Sequence, residues 1–161
     1  MIQKKVCMLG ATMVGKTSLV RQFVQSIFSE KYHSTLGVKV DKKVVRTDNH
    51  EVSMMIWDLQ GEDDEFKIRP GFLRGTSGYL LVVDLTRKDT LETAKRIQKM
   101  IEDEIGNVPF EVLFNKCDLK EEFEIDDSWM VEFAGEKVLR TSAKTGENVE
   151  EVFSRLARKL V

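Results

Sequence analysis

The sequence has few cysteines, few prolines and no long hydrophobic run. Its 2 cysteines are too few for the disulfide framework of a small secreted domain, and they favour a reducing cytoplasm. No run reaches the roughly 18 apolar residues of a membrane-spanning helix. With 2 prolines, 10 glycines, 42% hydrophobic and 32% charged residues among 161, the composition excludes a collagen-like or disordered chain.

An excess of charge of one sign is also lacking, since the net charge is -2. A chain without a basic excess lacks the counterion release that drives nucleic-acid binding, and lacks a polybasic segment for an anionic membrane. The first residues do not form a signal-peptide pattern, and the last residues, Leu160-Val161, contain no cysteine for prenylation. We therefore expect a monomeric cytoplasmic domain spanning 1–161, with no nucleic-acid partner and no membrane anchor in this chain.

Short apolar runs alternate with helical patterns along the chain. Runs typical of strands buried on both faces lie at 6–9, 54–57, 79–83, 112–114 and 138–139, and a more exposed strand, Val38–Arg46, precedes a hairpin turn at 47–50. Apolar residues with a period near 3.6 predict helices within 19–27, 91–105 and 149–160, and a short helix near 127–133. Asp89 and Glu92 have capping-box spacing, and Asn148 is placed to begin the last helix.

This order of elements, β-α-β-β-α-β-α-β-α-β-α, predicts an α/β fold. Strands that alternate with helices form a mostly parallel sheet, because the helical crossovers return the chain to the same edge. We expect a six-stranded sheet with one antiparallel edge strand and with helices on both faces.

The first chemical motif, 10–17, matches the pattern G-x-x-x-x-G-K-[ST] between a predicted strand and a predicted helix. Its glycines let the backbone approach a polyphosphate, whose charge meets loop N–H groups and the helix N-terminus. Lys16 is expected to reach the β and γ phosphates, and the Thr17 hydroxyl to bind Mg²⁺. The candidate nucleotide-binding residues here are Gly10, Thr12, Met13, Val14, Gly15, Lys16, Thr17 and Ser18.

Three more motifs follow predicted strands at the same edge of the sheet, where open parallel sheets bind ligands. Asp58 is expected to hold Mg²⁺ through water, and the Gly61 N–H to meet a γ-phosphate. The other two motifs lie at 115–118 and 141–144. Asp118 can accept from two guanine N–H groups, whereas adenine lacks the 2-amino donor and would leave a buried charge unpaired. These motifs predict a site for GTP or GDP with Mg²⁺.

In this order and spacing, the motifs resemble those of small GTPases of the Ras superfamily, which are P-loop NTPases. The resemblance covers essentially the whole chain, and segments 36–38, 72–79 and 83–86 are most similar to the Rab branch. It implies that Thr35 ligates Mg²⁺ only in the triphosphate state. It also implies a set of base contacts: Phe28 packs edge-on to guanine, Asn115 bonds the base, Lys116 lies along it, and the Ala143 N–H, flanked by Ser142 and Lys144, meets the guanine oxygen.

The resemblance further implies two switch segments, near 28–37 and 59–75, that are ordered by γ-phosphate and released on hydrolysis. Effectors, exchange factors and GTPase-activating proteins are the partners expected there. Thr12 occupies a loop position often held by glycine, and its side chain could crowd an arginine supplied by such a partner.

The expected catalytic residues are Lys16, Gly61 and Glu62, and Glu62 departs from the family. Relatives usually have a glutamine there, which orients the attacking water, whereas the present chain has an acidic run at 62–65. We expect slow GTP hydrolysis, because an ionised glutamate has no donor and stands near an anionic phosphoryl group. Two alternatives are a GTP-binding module with little or no hydrolysis, and a Glu62 that acts as a general base. An adenine-nucleotide kinase would share the 10–17 loop, but the 115–118 motif argues against it.

Overall fold

The computed structural model of the chain describes residues 2–26, 28, 37–59, 61, 68–135 and 138–161. Thr35 and Glu62, which the sequence analysis assigned to metal binding and catalysis, lie outside the described residues. So do Gln60, the rest of the acidic run and Ile27, the last residue of the first helical pattern.

Six strands and five α-helices make up the described part of the chain. The strands are β1 (Ile2–Gly10), β2 (Val38–Arg46), β3 (Glu51–Leu59), β4 (Gly78–Asp84), β5 (Phe110–Asn115) and β6 (Leu139–Arg140). The helices are α1 (Lys16–Gln25), α2 (Pro70–Leu73), α3 (Asp89–Ile105), α4 (Asp127–Ala134) and α5 (Val149–Lys159), with one 3₁₀ turn at Lys120–Glu122. The element order predicted from the sequence is confirmed.

The strands form one sheet in the order β2-β3-β1-β4-β5-β6. All neighbouring pairs are parallel except β2 with β3, which form the antiparallel hairpin at the sheet edge. The predicted mixed sheet with one antiparallel edge strand is therefore confirmed. β1 lies between β3 and β4, so the chain leaves β1 at the point where strand order reverses, which is where open α/β sheets bind ligands.

Helices cover both faces of the sheet, and alternate residues of β1 show why. Val6 and Met8 belong to the core that contains α1 and α5, whereas Cys7 and Leu9 belong to the core that contains α2, α3 and α4. Successive side chains of a strand point to opposite faces, so a strand between two helical layers must be apolar at every position. None of the described helices has the length and apolar character needed to cross a bilayer.

One local prediction is wrong, because the side chain at the N-cap of α3 makes no capping bond, and Asp89 and Glu92 form no capping box. The N-cap position is Lys88, so Asp89 already lies inside the first turn. The start of the helix is instead held by Thr90, whose hydroxyl donates to the Arg87 carbonyl at 2.7 Å and accepts from the Asp84 N–H at 2.9 Å. A bond between the end of β4 and the first turn of α3, six residues apart in sequence, thus takes the place of the capping box.

Candidate functional site

The loop 10–17, called the phosphate loop below, joins the end of β1 to the start of α1. Gly15 lies at φ +104°, and a Cβ there would collide with the side-chain amide of Asn115. Only glycine fits both the backbone angle and the space. Because the first N–H groups of α1 have no partner within the helix, the loop presents donors and the positive end of a helix dipole to one hollow.

Lys16 is a buried cation beneath this loop, with 6% of its surface exposed. Its ammonium group donates to the carbonyls of Gly10 at 3.4 Å and Ala11 at 3.1 Å. Burial lowers the pKa of Lys16 to about 8, although the nearby Asp58 carboxylate acts in the opposite direction. A buried, incompletely compensated ammonium is a group that a polyphosphate would satisfy.

Thr17 and Asp58 come together at the end of β3, as the metal prediction requires. The Thr17 hydroxyl donates to Asp58 Oδ2 at 2.6 Å. Asp58 is 1% exposed, and its Oδ1 has no hydrogen-bond partner among the described residues. Burial raises the pKa of Asp58, against the effect of its bond with Thr17. A hydroxyl beside an orphaned carboxylate oxygen is a donor set that fits hydrated Mg²⁺. Thr35, the other expected ligand, lies outside the described residues.

Gly61 packs directly on the phosphate loop. A Cβ at Gly61 would stand 2.5 Å from the Cα and 2.6 Å from the N of Thr12, so any other residue would force the two segments apart. The Thr12 hydroxyl donates to the Gly61 carbonyl at 3.4 Å. Gly61, the residue before Glu62, is thus in contact with Thr12, whose side chain we expected to crowd an arginine supplied by a partner.

The base motifs meet at the ends of β5 and β6. The Asn115 side-chain oxygen accepts from the Thr141 hydroxyl at 3.1 Å, and Asn115 itself is 1% exposed. Asp118 Oδ1 accepts from the Ser142 hydroxyl at 2.7 Å. The two motifs, 26 residues apart at these positions, are therefore joined by side-chain bonds into one pocket wall.

The remaining predicted nucleotide residues surround these groups. The Ala143 carbonyl accepts from Gln22 of α1 at 2.8 Å, which ties the last base motif to the helix behind the phosphate loop. Ala143 and Val14 are buried, Ser18 is half-buried, and Met13 and Lys144 are exposed. The described side chain of Phe28 is also exposed, and the structure does not test its contact with a base.

Asp84 and Arg87, which the sequence analysis did not assign to the site, contribute to it from the end of β4. Asp84 Oδ2 pairs with Lys116 Nζ at 2.8 Å and with Arg87 Nε at 3.1 Å. Burial alone would raise the pKa of Asp84, but hydrogen bonds from Lys116 and Thr86 outweigh it and the pKa is lowered. The sequence signal that could have identified Asp84 is its position, because it ends a buried strand at the same edge of the sheet as Asp58 and Asn115.

Comparison with known proteins agrees with this geometry. Residues 5–161 match the family model described as the Ras family. The chain belongs to the Ras family. It is 34% identical over 160 residues to the Ras-related protein Rab-31 of Rattus norvegicus, covering 97% of this chain and 82% of the relative. It is 31% identical over 161 residues to Rab-13 of Canis lupus familiaris, covering 98% and 79%, and to Rab-8B of Homo sapiens, covering 98% and 78%.

Membership of the Ras family confirms the P-loop GTPase fold and the Rab-like character seen in the motifs. Ras-family proteins are in general switches that bind guanine nucleotides with Mg²⁺ and have GTPase activity.

Proposed function

We propose that this chain is a guanine-nucleotide switch that binds GTP or GDP with Mg²⁺ and hydrolyses GTP slowly unless a partner assists. One observation carries the proposal: the phosphate loop connects a metal-type donor pair to a guanine-type pocket wall. Thr17, the last residue of the loop, bonds Asp58 at 2.6 Å, and the carbonyl of Val14, in the middle of the loop, accepts from the Asn115 amide at 2.9 Å.

The phosphates would be held by the phosphate loop and by Lys16. Loop N–H groups donate to the phosphate oxygens, and the Lys16 ammonium exchanges carbonyl acceptors for phosphate oxygens of opposite charge. Thr17, Asp58 through water, and Thr35 would hold Mg²⁺. When bound, the metal ion supplies positive charge to the β and γ phosphate oxygens. Gly61 donates its N–H toward the γ-phosphate.

The base would be read at the linked 115–118 and 142–144 motifs. Asp118 accepts from the two guanine N–H groups, while Asn115 and the Ala143 N–H bond the other edge of the base. Lys116 and Phe28 flank the ring. An adenine in this pocket would leave the Asp118 carboxylate without its second donor, which costs about 1–3 kcal/mol or more.

Slow hydrolysis follows from Glu62. A glutamate that is ionised at neutral pH offers no donor toward the γ-phosphate, and its charge is repelled by a phosphoryl group that is already anionic. The sequence also has no arginine between 28 and 37 that would act in cis from the first switch. We expect an intrinsic rate at or below the order of 10⁻⁴ s⁻¹, slower than the roughly 3–5 × 10⁻⁴ s⁻¹ of Ras without a partner.

A module that holds GTP without turnover is the second candidate. The contact between the Thr12 hydroxyl and the Gly61 carbonyl favours it, because a β-branched side chain then fills the space beside the residue that precedes Glu62. An arginine from a partner would have to displace that side chain before it could reach the γ-phosphate.

Single-turnover rates of γ-phosphate release test the proposal with three proteins loaded with GTP: the unaltered chain, Glu62→Gln and Glu62→Ala. We expect a faster Gln variant, because a neutral amide offers both an acceptor for water and a donor for phosphate. The Ala variant should stay near the unaltered rate, because repulsion already keeps Glu62 out of the site. Glu150→Gln, an exposed change in the first turn of α5, is the matched control.

A collapse of activity in both Glu62 variants would contradict displacement and make Glu62 a general base. An undetectable rate in the unaltered protein that still binds GTP would support the second candidate. A Glu150→Gln variant should match the unaltered protein in either case, since its carboxylate lies outside the site.

We also propose that the segments 28–37 and 59–75 bind effectors, exchange factors and GTPase-activating proteins, and that the chain acts as a cytoplasmic monomer. Both cysteines are free and buried, which suits a reducing compartment. Sedimentation of the GDP-loaded and GTP-loaded protein tests the monomeric state.

A further inference from the structure

Three successive carbonyls of the phosphate loop are held by side chains from outside the loop. Each bond comes from a residue at or just after the carboxyl end of β4 or β5. The pairs are Arg87 Nη2 with the Thr12 carbonyl at 2.7 Å, Lys116 Nζ with the Met13 carbonyl at 3.1 Å, and the Asn115 amide with the Val14 carbonyl at 2.9 Å. Lys116 and Asn115 belong to the base motif, whereas Arg87 belongs to none of the motifs.

These bonds fix the direction of the loop N–H groups. In a trans peptide the carbonyl of one residue and the N–H of the next point in opposite directions. The peptides here are trans in the described residues. Because Arg87 holds the Thr12 carbonyl, the Met13 N–H must point away from the Arg87 guanidinium.

Arg87 is itself held in place by Asp84. Its Nε donates to Asp84 Oδ2 at 3.1 Å while its Nη2 reaches Thr12, so the planar guanidinium bridges a buried carboxylate and a backbone carbonyl. The other Asp84 oxygen accepts from the Thr86 N–H and hydroxyl at 2.9 and 2.7 Å. With Lys116 on the same Oδ2, the carboxylate is saturated, so Arg87 has little freedom to turn away.

The Thr12–Met13 peptide lies beside the residue that we assign to the γ-phosphate. Thr12 is in contact with Gly61, whose N–H has that role under the proposed function. A hydrogen-bond donor held at the Met13 N–H would therefore increase the affinity for a triphosphate more than the affinity for a diphosphate.

We propose that Arg87 is a positioning residue that makes this protein favour GTP over GDP, by holding the Thr12 carbonyl so that the Met13 N–H faces the γ-phosphate end of the site. The inference rests on the proposed function, since it names a determinant of specificity within the same site. Arg87 lies outside the nucleotide motifs, and its proposed role is to discriminate between the GTP-bound and GDP-bound states of the switch.

The test compares dissociation constants for GDP and for a GTP analogue with an imido bridge between the β and γ phosphates, both with Mg²⁺. The proteins are the unaltered chain, Arg87→Ala, Arg87→Lys and the control Arg96→Ala, whose guanidinium donates to Thr93 of its own helix at 3.2 Å. We expect Arg87→Ala to weaken the analogue about tenfold and GDP less than about threefold. Arg87→Lys should recover part of the ratio between the dissociation constants for GDP and for the analogue, because it keeps a cation beside Asp84.

Equal weakening of both nucleotides in Arg87→Ala, or no weakening of either, would overturn the inference while leaving the proposed function intact. Failure of the unaltered protein to bind either guanine nucleotide would overturn both. Arg87 is 37% exposed and Asp84 keeps Lys116 as a partner, so we expect the alanine variant to fold. If its melting curve shows otherwise, Arg87→Gln, which keeps a donor without the charge, supplies the same comparison.

Discussion

At the scale of single residues, Lys16 and Asp58 are both buried, and burial shifts the pKa of each in the direction that favours its neutral form. Burial lowers the pKa of Lys16 to about 8 and raises that of Asp58. Such groups are costly in an isolated fold, and each is only partly compensated by protein partners. The hollow of the phosphate loop is therefore arranged for anionic phosphates and a divalent cation, which would compensate both.

Asp118→Asn tests base recognition at the same scale. The change removes an acceptor and adds a donor, so affinity for GTP should fall by about 1–3 kcal/mol or more while affinity for xanthosine nucleotides rises. Competition binding against a fluorescent guanine nucleotide measures both effects. Asp127→Asn, an exposed carboxylate on α4 that pairs with Arg140, is the matched control. If ATP competes as well as GTP with the unaltered protein, the assignment of Asp118 is wrong.

At the scale of elements, α1 and α5 pack together on one face of the sheet and support the phosphate loop. Phe23 of α1 and Phe153 of α5 stack with their ring centroids 3.8 Å apart and their planes 3° from parallel. Both rings are almost fully buried. Since the phosphate loop ends where α1 begins, packing between these two helices fixes the direction of the helix N-terminus that faces the phosphates.

Phe153→Ala should cost about 3–5 kcal/mol in the free energy of unfolding, because it removes a buried ring and leaves a cavity beside Phe23. Urea denaturation followed by far-UV circular dichroism measures the loss. Arg158→Ala, which breaks an exposed ion pair with Glu151 on the same helix, should cost less than about 1 kcal/mol. A Phe153 variant no less stable than the Arg158 variant would contradict the role given to the stack.

At the scale of the whole molecule, the proposed nucleotide site is assembled where five strands end. The carboxyl ends of β1, β3, β4, β5 and β6 bring together the phosphate loop, Asp58, Asp84, Asn115 and Ser142. A bound γ-phosphate would touch loops from several of these strands at once. Local contacts with one phosphate group can therefore change the order of segments that are distant in sequence.

Hydrogen exchange across 28–37 measures this response. We expect exchange to slow with a non-hydrolysable GTP analogue relative to GDP, because the proposed contact of Thr35 with the metal would form only while a γ-phosphate anchors its segment. Exchange within β5 is the internal control and should be the same in both states, since this strand is buried and paired on both sides. Equal exchange across 28–37 in the two states would remove the switch while leaving nucleotide binding intact.

The sequence alone determined the architecture and named most residues of the candidate site. Apolar runs of strand length alternate with 3.6-residue periods, and that alternation leaves few topologies other than a mostly parallel sheet with helices on both faces. The residues of the phosphate loop and of the base motifs were found because each motif is contiguous in the chain and follows a predicted strand. Their chemistry depends on residue types and short spacings, which a sequence displays directly.

Only the tertiary structure decided the links between these motifs. The capping-box prediction at Asp89 was wrong because the N-cap position is Lys88, whose N–H donates to Glu124 Oε1 at 2.9 Å, across 36 residues of sequence. The bond of Arg87 to Thr12 spans 75 residues of sequence and has no local pattern. Such contacts depend on the register of neighbouring strands and on which side chains share one buried carboxylate, and neither property is encoded within any single stretch of the chain.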